Sequence, residues 1–195
     1  MAKTLKVTPV GIAVWPHVHA PDTKFDAEGV LHTKLKLDGA EAETLKSEID
    51  AAIDAAVADR QKQDPKKKIK RADAPYKADV DSDGNETGAT LFTFKVNAKG
   101  KRKDGTEFKN NVGLYDSRMK PIVGKRVGGG SEIRVSYEMG AYKNYTPTIG
   151  QGVSLRLKGV QVVTLREFGG DAASLGFGAI EGGYDGSEGG EETGP

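Results

Sequence analysis

Cysteine is absent from all 195 residues. That excludes disulfide bonds and thiolate chemistry, and it fits a reducing cytosol. No apolar run approaches the roughly 18 residues of a membrane helix, so no membrane partner is expected. Met1 to Trp15 is too weakly apolar, and lacks the small-residue cleavage pattern, for a signal peptide. Aromatic residues make up only 7% of the chain, and Trp15 is the one tryptophan. Residues 169–195 contain no lysine or arginine but carry Asp171, Glu181, Asp185, Glu188, Glu191 and Glu192. Subtracting that charge of −6 from the net +1 leaves +7 on residues 1–168. A basic body with an acidic end suits a polyanionic partner and an internal competitor for it.

Glycine is plentiful, with 26 in the chain and ten of them from Gly169 onward. Such a segment cannot bury enough apolar area to offset its ordering entropy. The expected organisation is therefore one folded domain over 1–168 and a disordered, acidic, glycine-rich tail over 169–195.

The body reads mainly as strands. Ile133, Val135 and Tyr137 alternate with Glu132, Arg134 and Ser136, and Val153, Leu155 and Leu157 alternate with Ser154, Arg156 and Lys158. Period-two alternation marks half-buried strands with one wet face. Lys3 to Trp15 reads as a first strand, broken by Pro9 and Gly11 and so at an edge or bulged. Trp15-Pro16-His17 then turns into a polar loop. Gly29 to Leu37 is a second strand, with His32, Lys34 and Lys36 on its wet side. Asp38 followed by Glu41 predicts a capping box. Behind it Leu45, Ile49, Ile53 and Val57 form the apolar stripe of a helix over 39–62. Ala72 to Ala89 is polar and turn-rich. Leu91 to Ala98 is a strand, and Asp104-Gly105 turns the chain into a partner strand over Thr106 to Tyr115. Many short strands with one capping helix predict an oligonucleotide-binding (OB) fold, a five-stranded Greek-key barrel.

The chemistry-bearing residues are cations and rings. Lys66, Lys67, Lys68, Lys70 and Arg71 form one basic cluster; Lys99, Lys101, Arg102 and Lys103 form another. Phosphate contacts from such clusters release counterions and make binding salt-dependent. Tyr142, Lys143 and Tyr145 lie in the loop between the last two strands, and Trp15 and Tyr76 border other loops. Flat rings beside cations suit stacking of unpaired bases along a phosphate chain. Phe92, Phe94 and Tyr137 are expected in the core. Asp79, Asp81, Asp83 and Gly84 resemble the start of a calcium loop, but Thr90 stands where the bidentate glutamate is required, so a turn is expected. His17 and His19 share a loop with no third ligand evident, so no metal site is expected. No nucleophile–base constellation stands out, and neither an enzyme nor a cofactor is expected.

A set of features in order along the chain carries a likeness. They are Pro75-Tyr76 with Asp83-Gly84, Phe92-Thr93-Phe94-Lys95, Pro121-Ile122-Val123, Gly128-Gly129-Gly130-Ser131, Val135-Ser136-Tyr137, Tyr142-Lys143, and Val153 to Leu157. Together they resemble the single-stranded-DNA-binding proteins of T7-like bacteriophages. The resemblance implies an OB fold with a helix inserted after the second strand. It implies sequence-independent binding of unpaired DNA in phage replication and recombination, in the cytoplasm of the infected bacterial host. It also implies an acidic tail that occupies the DNA groove when DNA is absent and contacts the polymerase and helicase-primase, and a homodimer. Carried over by position, Lys3, Lys95, Lys66, Lys67, Lys68 and Tyr142 face DNA. The family's tail is longer, more acidic and ends in an aromatic residue, whereas this sequence ends Thr193-Gly194-Pro195. A family arginine aligns with Glu28, and a stacking tyrosine aligns with Asn97. That leaves Trp15, Tyr76 and Tyr145 as further stacking candidates. The alternatives are an RNA-binding or annealing adaptor on the same fold, a metal-dependent nuclease using Asp79, Asp81 and Asp83, and a structural phage protein.

Overall fold

The strict alternation of Val30–Leu37 sends Leu31, Thr33, Leu35 and Leu37 inward and leaves His32, Lys34 and Lys36 on the outer face. This and the following geometry come from a computed structural model that describes residues 5–24, 26–102 and 104–167. Lys3, Lys103 and the acidic segment 169–195 lie outside the described residues. The strands are Leu5–Val7 (β1), Gly11–Asp22 (β2), Val30–Leu37 (β3), Tyr76–Val80 (β4), Glu86–Asn97 (β5), Lys99–Lys101 (β6), Glu107–Lys109 (β7), Gly113–Tyr115 (β8), Glu132–Ala141 (β9) and Val153–Thr164 (β10). One helix, Gly39–Gln63 (α1), lies between β3 and β4.

Five strands close on themselves in the order β2-β3-β5-β10-β9 and back to β2. All neighbours run antiparallel except β5 and β10, which run parallel where Lys95 meets Arg156. Closure removes the open edges that a sheet must otherwise protect. This is the five-stranded OB barrel, with α1 after its second strand. The expected first strand is both an edge and broken: β1 ends the sheet order, paired only with β9, and the register slips before β2. Leu5 pairs with Glu138 and Val7 with Ser136, but Gly11 pairs with Ile133, one residue out of step across Pro9. A proline that cannot donate is accommodated by such a break.

The barrel is filled by Leu35, Phe92, Phe94, Ile133, Val135, Tyr137, Leu155 and Leu157, all at most 2% exposed. Phe94 and Tyr137 meet edge to face with centroids 5.1 Å apart, a geometry that suits the ring quadrupoles. The helix packs on the barrel with Ala42, Leu45, Ile49, Ile53 and Ala56 buried, while Val57 of the expected stripe is only partly buried.

Local expectations differ from the structure in four places. Asp38 is the N-cap by position, but its side chain makes no capping bond. Gly39 follows it at φ +58, which diverts the chain before the first turn. Trp15-Pro16-His17 does not enter a loop; β2 continues to Asp22, with register shifts on either side of His17. The stretch 72–89 is not all turn. It holds β4 and the start of β5, an exposed hairpin whose alanine, threonine and glycine residues give little strand signal. The segment after Asp104-Gly105 is two short strands. β7 pairs only with β6, and β8 runs parallel to β10. Asn110 separates them, its amide N–H bonded to the Ala98 carbonyl and its side chain to that of Asn97.

Candidate nucleic-acid interface

The barrel's register builds a cationic row. His32 lies opposite Lys95 on β5, and Lys95 lies beside Arg156 on β10, all on the outer face. Lys34 stands one step along, opposite Thr93. Burial, then Lys77, depresses the Lys34 ammonium pKa. Next to the row lies a groove of about 730 Å³ whose lining includes Tyr76, Thr93, Lys95, Tyr142, Asn144 and Ser154. A smaller recess of about 310 Å³ shares Lys95 and Ser154 and adds Arg156 and Phe108. Three residues expected from the sequence, Tyr76, Lys95 and Tyr142, therefore converge on one trough.

The two tyrosines are held as walls. The Tyr76 hydroxyl donates to the Asp50 carboxylate at 2.6 Å, and its ring packs on Phe92 with centroids 5.7 Å apart. Burial first, then the bond to Asp50, pushes the Tyr76 phenol up to about 12. Arg71 donates to Asp50 at 2.6 Å and to Asp54 at 2.9 Å, tying the basic loop to α1. Burial alone would raise the Asp50 pKa, but the bonds from Tyr76 and Arg71 outweigh it and hold the carboxyl low. Opposite, the Tyr142 N–H donates to the Gly152 carbonyl, and the Gln151 side-chain amide donates to the Tyr142 carbonyl. The Tyr142 ring lies so close to Gly152 that a Cβ there would come within 3.1 Å of it.

The loop between β9 and β10 is stapled to the basic loop. Gln151 N–H donates to the Lys70 carbonyl, Ala72 N–H to the Gln151 carbonyl, and the Lys70 ammonium to the Thr148 carbonyl. Gly150 sits at φ +96 in this staple, where an added Cβ would lie 2.8 Å from the Ala72 nitrogen and the Lys70 oxygen. Gly150→Ala is therefore expected to cost about 1–3 kcal/mol from backbone strain alone. Chemical denaturation checks it, and an unchanged midpoint would show that the staple yields freely.

The remaining expected residues are placed as follows. Trp15 is 70% exposed at the bulge in β2, at φ +46, with the Lys34 ammonium 4.9 Å from its ring centroid. A left-handed backbone at a non-glycine residue is a strained arrangement. Tyr145 is half-buried: its hydroxyl accepts the Lys70 N–H at 3.3 Å, and Arg60 lies 5.8 Å from its ring. Lys66, Lys67 and Lys68 are exposed beyond α1 and do not line the groove. Gln61 shapes their loop by donating to the Lys67 carbonyl and accepting the Ile69 N–H. Lys101 pairs with Glu107, and Arg102 lies over Phe108, on the hairpin beside the smaller recess. Lys143 shares a further recess with Tyr142 and Arg156.

Sequence reasoning marked Lys34 and Arg156 only as wet-face cations and did not mark Lys77 or Phe108. Only the register puts Arg156 and Lys34 beside Lys95. Phe108 is flanked by Glu107 and Lys109 in a strand too short to show a pattern. The aspartates of the β4–β5 turn form a turn. The N–H groups of Asp83 and Asn85 donate to Asp81 at 2.9 Å, and Asp79 is held by Lys36 and Thr87. His19 is structural, with its Nε2 accepting the Val127 N–H at 2.7 Å. His17, by contrast, meets His32 and Asp22. Among the described residues, no helix is long and apolar enough to cross a membrane.

Comparison with known proteins gives a consistent answer. The family model described as single-stranded DNA-binding protein, bacteriophage T7, matches residues 14–165. The single-stranded DNA-binding protein of Enterobacteria phage T3 is 36% identical over 117 residues, which is 58% of this chain and 50% of that protein. The one from Escherichia phage T7 is 36% identical over 102 residues, covering 49% of this chain and 42% of that protein. The chain thus spans about half the length of the curated relatives it matches. The crystal structure of gp2.5, a single-stranded DNA-binding protein encoded by bacteriophage T7, superposes with a TM-score of 0.70 at 25% identity. It covers 94% of this chain and 99% of that one. The single-stranded DNA-binding protein from bacteriophage Enc34, in complex with single-stranded DNA, gives a TM-score of 0.59 at 14% identity over 85% of this chain and 89% of its own, a likeness of fold. With a family match running from β2 to the end of β10 and a barrel that superposes along nearly its whole length, this chain belongs to the family of the bacteriophage T7 single-stranded DNA-binding protein.

Proposed function

We propose that this protein binds single-stranded DNA without reading its sequence, performs no chemistry on it, and serves phage DNA replication and recombination in the infected bacterial cytoplasm. The observation that carries this reading is the Lys95–Arg156 row lying along the groove walled by Tyr76 and Tyr142. Cations at that spacing hold phosphates while rings offer faces that accept any base. Membership of the family supports the same reading. Lys3, Trp15, Lys66, Lys67, Lys68, Lys101, Arg102, Lys143 and Tyr145 extend the proposed contact surface beyond the groove. Residues 169–195, with six acids and no base, compete with DNA for the cationic trough and offer replication proteins a contact.

Fluorescence titration of a thymidine oligomer at two salt concentrations tests the proposal. Affinity should fall steeply as salt rises, and duplex DNA of the same length should bind more weakly. Tyr142→Ala should weaken binding by about tenfold, the loss of one stacked base at roughly 1–3 kcal/mol. Equal binding of duplex DNA, or affinity indifferent to salt, overturns the proposal.

A further inference from the structure

The register shifts in β2 have a chemical outcome. They return Asp22, at the end of the strand, to the outer face beside His32 on β3, with His17 paired directly opposite His32. Asp22 Oδ2 lies 3.2 Å from His32 Nε2. The imidazole rings of His17 and His32 are 4.9 Å apart between centroids and tilted by 33°. One ligand atom from each of His17, Asp22 and His32 lies within 4.8 Å of the other two, and no other such group of three occurs among the described residues.

We propose that His17, Asp22 and His32 bind one divalent transition-metal ion of the zinc class at the end of the cationic row. Two imidazole nitrogens and one carboxylate oxygen suit zinc-class ions, whereas magnesium prefers a shell of oxygens. Zinc–ligand distances of about 2.0–2.1 Å put tetrahedral donors roughly 3.3 Å apart. Asp22 and His32 already stand at that spacing. His17, on the exposed side, closes the remaining gap by a rotamer adjustment of roughly 1.5 Å or less. The carboxylate is pre-oriented, because its other oxygen accepts the Lys24 N–H at 2.9 Å, the kind of outer contact that aims a ligand. Three protein donors leave one exchangeable position. His32 is the register partner of Lys95, so that position borders the phosphate row and is open to water or a phosphate oxygen.

The test is isothermal titration of zinc chloride into chelator-treated, full-length protein, with no DNA present. Its outcome therefore stands apart from the DNA-binding reading. We expect one equivalent bound, with affinity at least tenfold lower in His32→Gln and in Asp22→Asn and retained in His19→Gln. Asp22→Asn keeps an oxygen for the Lys24 N–H, and circular dichroism confirms the fold of each variant. Cobalt substitution should give visible ligand-field bands that vanish in His32→Gln. Zinc binding that survives both His32→Gln and Asp22→Asn, or that His19→Gln abolishes equally, overturns the proposal, as does the absence of binding.

Discussion

Replacing Lys95 with Glu and Arg156 with Gln together is expected to weaken binding of a thymidine oligomer about a hundredfold. Each side chain is assigned one charge-assisted bond to a phosphate, worth about 1.5–3 kcal/mol, and about 1.4 kcal/mol is a tenfold change in affinity. Glutamine is preferred at the second position because Glu138 is the register partner of Arg156 on β9. A second carboxylate there would repel it and confound binding with folding. The slope of log affinity against log salt should flatten by about 1.4, since each lost contact on single strands removes about 0.7. Both side chains lie on the outer face, so unfolding by denaturant should be little changed. An oligomer affinity and a salt slope equal to those of the unaltered protein would remove the row from the binding surface.

Phe94→Ala is expected to destabilise the fold by about 3–5 kcal/mol, the range for deleting a fully buried aromatic ring. Phe94 is fully buried, and its partner Tyr137 is 2% exposed, with a phenol that burial pushes up to about 12. The two strands that carry them, β5 and β9, are not neighbours in the barrel. Their ring contact therefore spans its interior, and a cavity there cannot be filled by one strand moving. The midpoint of a urea transition followed by tryptophan or far-ultraviolet signal measures the loss. A shift worth under 1 kcal/mol would mean that the core collapses around the missing ring. DNA binding below the transition should survive, because neither ring lines the groove.

Much of this architecture was legible where alternation was long and clean. β3, β9, β10 and the apolar stripe of α1 each carry enough periodic residues for burial to dictate the element. The interior positions of Phe92, Phe94 and Tyr137 follow from the same pattern. The reading failed where local signal conflicted with tertiary pairing. Pro16 reads as an interruption, yet β2 absorbs it in a bulge and continues to Asp22. The alanines, threonines and glycines of 76–90 read as turn, yet β5 supplies β4 with a partner. In the interface, residue types marked Tyr76 and Tyr142, and the family resemblance marked Lys95. Nothing along the chain brings Lys95 to Arg156, or Asp22 to His32. Both meetings depend on register, and register is set by the whole barrel.

The parallel docking of β10 against β5 has a consequence for the nascent chain. Residues 95 and 156 are distant in sequence, so their contact carries a large loop-closure cost and should form late. Synthesis delivers the chain from its N-terminus at roughly 5–20 residues per second. Until the final strand has left the ribosome, Lys95 has no neighbouring arginine and the barrel wall is open. A ribosome-bound fragment ending before β10 would thus lack the assembled trough. The proposed phosphate-binding row would come into being only when the barrel is complete.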